Sequence, residues 1–277
     1  MPRGCAIADT GSDMRKRLSM TGRSFRIAGA MHGLILALSL ATTGCGRRLV
    51  PVAPQGTAAI ALSGGGNTSM TYVARTGEGV LVIDLGWWGH AEGLHLALQQ
   101  IGATPADVRH VFLTHSHRDH IGAWPMVADA RFHVGASELP LLHGVREHGG
   151  WIARWADRLM PPELPAPARI AVQSFSRDTA FVVGSDTVYA YLVPGHTPGS
   201  AVYLFRGILF LGDAVTWSRT GGFRPAKRGF TDDRQSAIAS LAKLWRRLPP
   251  GAARYVCTAH AHCAEFSPEF VDQVSAP

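Results

Sequence analysis

The stretch THSHRDHIG, residues 114–122, sets His115, His117, Asp119 and His120 within six residues, directly after the apolar run VRHVFL. Side chains two apart on an extended segment point the same way, so His115 and His117 converge on one point. Asp119 and His120 begin the next turn and face a second point nearby. Imidazole and carboxylate donors at this density suit zinc and similar divalent metals. Four residues cannot complete two metal shells, so the chain must fold in a way that carries further donors to this loop.

Those donors stand at the ends of three other apolar runs. TVYAYLVPGHTPGS delivers His196 in a Pro-Gly turn, GILFLGDAVT delivers Asp213, and RYVCTAHAH delivers His260 or His262. Of the last two, His260 lies closer to the strand end and is preferred. The segments between them alternate in type. TAAIAL and SMTYVAR read as strands around the turn SGGGN, and GVLVIDLG, residues 79–86, as a buried strand. AEGLHLALQQIG, residues 91–102, reads as a helix, with Leu94, Leu98 and Ile101 on one face and Gly102 closing it. VRHVFLT is again a strand, and strand–helix–strand opens a layered α/β domain. Residues 140–169 break the pattern. A helix bearing Trp151 and Trp155 and a proline-rich exit read as an inserted lid. Strands return in FVVG, TVYAYLV, AVYLF and GILFLGD. A basic loop over 217–231, a helix over 232–248 and the strand ARYVCTAH complete the domain.

The formal net charge of +7 invites a nucleic-acid reading. Six basic and two acidic residues in the first forty-four positions account for +4 of it, leaving +3 for the rest, too little to argue for nucleic acid. That basic start leads into IAGAMHGLILALSLATTGC, residues 27–45. The layout is that of a secretory signal, and the apolar run is shorter than the roughly 20 residues a spanning helix needs. The expectation is therefore a signal segment over 1–45, a Pro-containing tether over 46–56, and one domain over 57–277. The location would be periplasmic, with membrane contact only through an N-terminal lipid anchor. Cys5 would leave with the signal. Cys257 reads as a small hydrophobe inside an apolar strand rather than as the partner of Cys263, a pairing that an oxidising compartment would also permit.

At THSHRDHIG, PGHTPGS, FLGD and VLVIDLG the chain resembles the metallo-β-lactamase fold superfamily, over about residues 57–265. The resemblance implies a four-layer αββα sandwich with two metal ions, zinc by expectation, at one edge between the sheets. It implies that His115, His117 and His196 hold one ion, that Asp119, His120 and His260 hold the other, and that Asp213 bridges them. It also implies that Asp84 steadies the metal loop by hydrogen bonding without touching metal. Gly44-Cys45 is similar to the end of a bacterial lipobox, although Thr42 stands where that pattern has an aliphatic residue.

Two such ions would activate a water as hydroxide against an electrophilic carbonyl or phosphorus, with Asp119 orienting the nucleophile or moving a proton. By the same resemblance, Asp213 points away from true β-lactamases, which carry Cys or Ser there, and toward thioesterases and lactonases. A glyoxalase II would continue into a glutathione-binding extension, so the expectation is a small ester, lactone or thioester. Trp87 and Trp88 are candidates for an apolar pocket wall. Arg219, Arg224, Lys227 and Arg228 read as a solvated or membrane-facing loop, with reception of an anionic substrate group as the rival role. His90, His95, His110, His133, His143 and His148 read as surface or packing residues. Two other classes compete: a persulfide dioxygenase-like oxidoreductase with a single iron, and a non-catalytic metal-binding lipoprotein.

Overall fold

Alternation within single strands builds the layers. The computed structural model describes residues 48–52, 59–63, 69–87, 91–218, 220–261 and 263–275. The signal-like segment with Cys5 and Cys45, together with Trp88, His90, Arg219 and His262, lies outside the described residues. One sheet runs in chain order through β1 (Arg48–Val52), β2 (Ala59–Ser63), β3 (Tyr72–Thr76), β4 (Gly79–Ile83), β5 (Val108–Phe112), β6 (Arg131–Gly135) and β7 (Ala171–Phe175). Pairing is antiparallel from β1 to β4 and parallel from β4 to β7. The second sheet takes β8 (Thr179–Val183), β9 (Asp186–Leu192), β10 (Ala201–Phe205) and β11 (Ile208–Gly212). A separate ribbon of β12 (Val215–Ser218) and β13 (Gly222–Pro225) follows. Beyond it the second sheet gains β14 (Tyr255–Thr258), parallel to β11, and β15 (Cys263–Glu265).

Helices cover both outer faces. On the first sheet lie α1 (Ala91–Gln100), α2 (Arg118–Ile121) and α3 (Leu139–Leu142), while α4 (Trp151–Leu159) is bonded instead to the 229–232 loop through the Ile152 N–H and the Gly229 carbonyl; on the second lie α5 (Arg234–Arg247) and α6 (Pro268–Ser275). The strands show why this is stable. Val80 and Val82 of β4 join Leu94, Ala97 and Leu98 of α1 in one core, while Leu81 and Ile83 of the same strand face the other sheet. Ile208 and Phe210 of β11 fill that inter-sheet core beside Phe112 and Tyr203. Leu209 and Leu211 pack outward onto Leu241, Leu244, Phe270 and Val274 of α5 and α6. Both faces of these strands are covered, so they read as unbroken apolar runs and not as alternating ones. The three cores define the expected αββα sandwich.

Three expectations change. Residues 48–52, read as tether, form β1 at the sheet edge, antiparallel to β2; an edge strand is where proline is tolerated in a sheet. Within the loop expected over 217–231, β12 and β13 pair as a hairpin ribbon. Cys257 and Cys263 are disulfide-bonded, against the small-hydrophobe reading. They are directly opposed on antiparallel β14 and β15, a register that brings the two side chains to the same face.

Candidate metal centre

All the singled-out donors sit where strands end on one edge of the sandwich, the position at which α/β sheets place ligands. After β5 the chain turns through His115 and His117 into α2, which carries Asp119 and His120. After β9 the turn PGHTPG carries His196. Gly195 has φ of 137°, and a Cβ there would lie 2.1 Å from the Ala237 nitrogen, so only glycine lets this turn seat against α5. Asp213 follows β11 and His260 follows β14.

Three ring nitrogens meet in the first half of the site. His115 Nε2 lies 2.9 Å from His117 Nδ1, and His196 Nε2 lies 3.2 Å and 3.0 Å from those two atoms. Burial pushes His115 and His117 well below the usual imidazole range and lowers His196, so all three are neutral. Three neutral imidazole nitrogens this close can share at most an inward N–H or so among them, whereas a cation accepts a lone pair from all three at once. His115, His117, His196 and Asp213 offer donor atoms that all lie within 4.8 Å of one another, as do Asp119, His120 and His260.

The second half is held by carboxylates. His120 Nδ1 donates to Asp84 Oδ2 at 2.8 Å, which turns Nε2 toward Asp119 Oδ2 at 3.8 Å and Asp213 Oδ1 at 3.6 Å. That buried Nε2 has no hydrogen-bond partner, and neither has His117 Nε2. Burial opposes charge on His120, but Asp84, Asp119 and Asp213 outweigh it and raise the imidazole well above its ordinary range. Asp213, with burial opposing, raises His260 to about 10. Asp213 faces both halves: Oδ2 is 3.7 Å from His196 Nε2, and Oδ1 is 3.2 Å from His260 Nε2. Convergent neutral imidazoles, the orphaned His120 Nε2 and a carboxylate spanning both groups make a donor set that fits two divalent cations.

Supporting residues fix this geometry. Asp84 accepts from the Thr114 backbone N–H and hydroxyl, each at 2.7 Å, as well as from His120. Its φ is 53°, a left-handed conformation that Asp tolerates and that functional sites concentrate. Ser69 donates to the Asp119 carbonyl oxygen.

Glu138 was not anticipated from sequence. It is fully buried and accepts from the Ser116 backbone and hydroxyl at 2.9 and 2.7 Å, from the Thr197 hydroxyl at 2.8 Å and from the Gly199 N–H at 2.9 Å. One carboxylate thus ties the His115–His117 loop to the His196 turn. The one signal in sequence was an acid set just before the apolar LPLL. His148, read as a packing residue, is buried with its ring centroid 4.3 Å from that of His117.

Outside the donors lies a cavity of about 380 Å³, roofed by α4. Ile152, Ala153, Ala156 and Met160 line it, as do Trp87, Trp217 and Phe230. Of the four cations weighed in the basic loop, Lys227 lines the cavity, 5.0 Å over the Phe230 ring, whereas Arg224 and Arg228 are not among the lining residues. Arg118 spans from α2 to the roof, 3.3 Å from Asp157 and 5.4 Å from the Trp87 ring. Asp232 fastens the start of α4 by accepting from the Gly149 and Gly150 N–H groups at 2.7 and 2.8 Å.

Comparison with known proteins agrees with this architecture. The sequence profile of the metallo-beta-lactamase superfamily matches residues 64–260. A hydroxyacylglutathione hydrolase of Anaeromyxobacter dehalogenans is 30% identical over 159 residues, 57% of this chain and 51% of that protein. Metallo-beta-lactamase domain-containing protein 1 of Xenopus laevis is 32% identical over 140 residues, 50% of this chain and 53% of that one. The chain thus spans about half the length of these curated relatives. Among solved structures, an archaeal metallo-beta-lactamase superfamily protein from Sulfolobus tokodaii superposes with a TM-score of 0.55 at 18% identity, covering 82% of this chain and 84% of its own. The subclass B3 metallo-beta-lactamase BJP-1 of Bradyrhizobium japonicum gives 0.55 at 20% identity, over 76% and 78%. At those identities the likeness is one of fold.

Proposed function

Because this chain belongs to the metallo-β-lactamase superfamily, we propose that it is a hydrolase of a small ester, lactone or thioester, working with two divalent metal ions, zinc by preference. The observation that carries the reading is Asp213, whose two carboxylate oxygens face the two halves of the donor set separately. His115, His117 and His196 would hold one ion, Asp119, His120 and His260 the other, with Asp213 shared. Bound there, the pair would lower the pKa of water and polarise an acyl carbonyl.

The protein's own groups supply the rest. Asp119 lies in the cavity wall and on the second half at once, placed to orient the attacking water or take its proton. Asp84 fixes the tautomer of His120, and Glu138 holds the two loops of the first half in register. Under the α4 roof, Ile152, Met160 and Trp217 offer an apolar wall to an acyl group. Of the two cations in the lining, Arg118 is paired with Asp157, and Lys227 is placed to meet an anionic substituent. The similarity to a hydroxyacylglutathione hydrolase supports keeping thioesters in the substrate screen.

Metal analysis by mass spectrometry tests this first. About two zinc per chain, with ester, lactone or thioester turnover, is the expected outcome, and Asp213→Ala should lose turnover and most of the metal. Retention of both by that variant would refute the shared carboxylate. One iron per chain with oxygen consumption would replace hydrolysis by an oxidoreductase reading. We also propose export and attachment through Cys45. The Cys257–Cys263 disulfide supports an oxidising compartment. Labelled palmitate retained by Cys45→Ser would exclude that anchor.

A further inference from the structure

Helix α4 carries a wide apolar arc that runs from the cavity side round to solvent, with Arg154, Asp157 and Arg158 on the remaining face. Ile152, Ala153 and Ala156 turn inward to the cavity, while Trp151, Trp155 and Leu159, spaced four apart, form an outward stripe exposed by 66%, 64% and 60%. Met160, 57% exposed, belongs to both surfaces. With Val145, five of the seven large exposed hydrophobics among the described residues fall within this one segment. A helix over an aqueous surface turns polar residues outward; a clustered apolar stripe marks a contact surface.

The charges around the stripe indicate what it contacts. Glu147 pairs with Arg158 at 2.8 Å and Asp157 with Arg118 at 3.3 Å. Arg146, Arg154, Lys227 and Arg228 have no carboxylate within ion-pair distance among the described residues. The 227–230 loop belongs to the same rim, because Gly229 accepts from the Ile152 N–H at 2.8 Å. Tryptophan carries an apolar body with a polar N–H and favours the headgroup level of a bilayer, and Arg and Lys beside it meet lipid phosphate.

We propose that the α4 face is a membrane-docking surface for anionic phospholipid, which seats the cavity mouth on the lipid. No helix among the described residues is long and apolar enough to cross a membrane, so the contact is interfacial. An acyl substrate resting in the lipid would pass over Met160 into the cavity without crossing water. The docking itself does not depend on the hydrolase reading, since it is measured without turnover.

The test uses the full chain with vesicles whose lipids carry brominated acyl chains, which quench nearby tryptophans. Two of the seven tryptophans are on the proposed face. Phosphatidylglycerol vesicles should quench the wild type more than phosphatidylcholine vesicles, with the difference shrinking as salt is raised. Trp151→Phe/Trp155→Phe should lose most of that quench, a conservative change that keeps the fold. Trp155→Glu should lose the vesicle contact of α4 while retaining the wild-type circular dichroism spectrum. Quench that persists unchanged in the double Phe variant would overturn the proposal, because other tryptophans would be the ones touching lipid. So would absence of quench in the wild type. Sedimentation as a dimer that Trp155→Glu dissolves, without quench, would assign the face to a second copy of the chain instead.

Discussion

Asp84 acts through its neighbours. Its carboxylate spans Thr114 and His120, and so decides which nitrogen of His120 faces the rest of the donors. Asp84→Asn keeps the shape but replaces one accepting oxygen by an N–H₂ that cannot accept. Metal affinity measured by chelator competition should fall about 10–100-fold, with the fold intact. Unchanged affinity would reduce Asp84 to a packing group. Sequence gave access to Asp84 because it ends an apolar run and occupies a motif position. Glu138 escaped, because the groups it serves lie 22 and 59 or more residues away and no local pattern connects them.

At the level of elements, the β14–β15 hairpin illustrates how a short covalent link serves a site. Cys257 and Cys263 close the turn that contains His260. Replacing both by Ala should lower stability in urea by about 2 kcal/mol, the entropy of closing so short a loop. It should also weaken the second metal equivalent more than the first, because His260 belongs to the second half only. Equal weakening of both equivalents in a metal titration would argue that the hairpin merely stabilises the fold. Two helices were legible to within a few residues, whereas α6 was not read from the sequence. The expected 91–102 and 232–248 appear as 91–100 and 234–247, the latter capped by Asp233 accepting from the Ser236 N–H at 3.0 Å. The ribbon of β12 and β13 was not legible, since glycine, proline and arginine obscure a pairing whose support comes from α6 packed against it.

For the whole molecule, the inter-sheet region makes folding sensitive to acid. His133 packs 4.2 Å from the Phe112 ring, with His110 Nδ1 3.0 Å away and Glu78 beyond His110. Burial, with His110 and Arg131 assisting, lowers His133 to about 3. The folded chain keeps it neutral, whereas the unfolded chain takes up a proton below about pH 6.5. The stability this group contributes is therefore complete above about pH 6.5 and is lost progressively as pH falls toward 3. Urea unfolding at pH 7.5 and pH 5 should show a loss that His133→Phe reduces by about 1–2 kcal/mol. An identical loss in the variant would place the acid sensitivity elsewhere.

Sequence by itself determined that the chain is a layered α/β domain and which kinds of donor it carries; the αββα order came with the family resemblance. Period-two and period-3.6 patterns are local, and a His-rich turn after an apolar strand states its chemistry without knowledge of its neighbours. It placed His115, His117, Asp119, His120, His196, Asp213 and His260 at strand ends, and the folded chain gathers these side chains into two adjoining groups. Tertiary structure alone decided that His148 packs on His117, that Glu138 braces two loops, and that the tryptophans of α4 point away from the cavity they roof. Each of these is a distance between residues far apart in the chain. Such distances are set by how sheets and helices close on shared cores, which no single segment encodes.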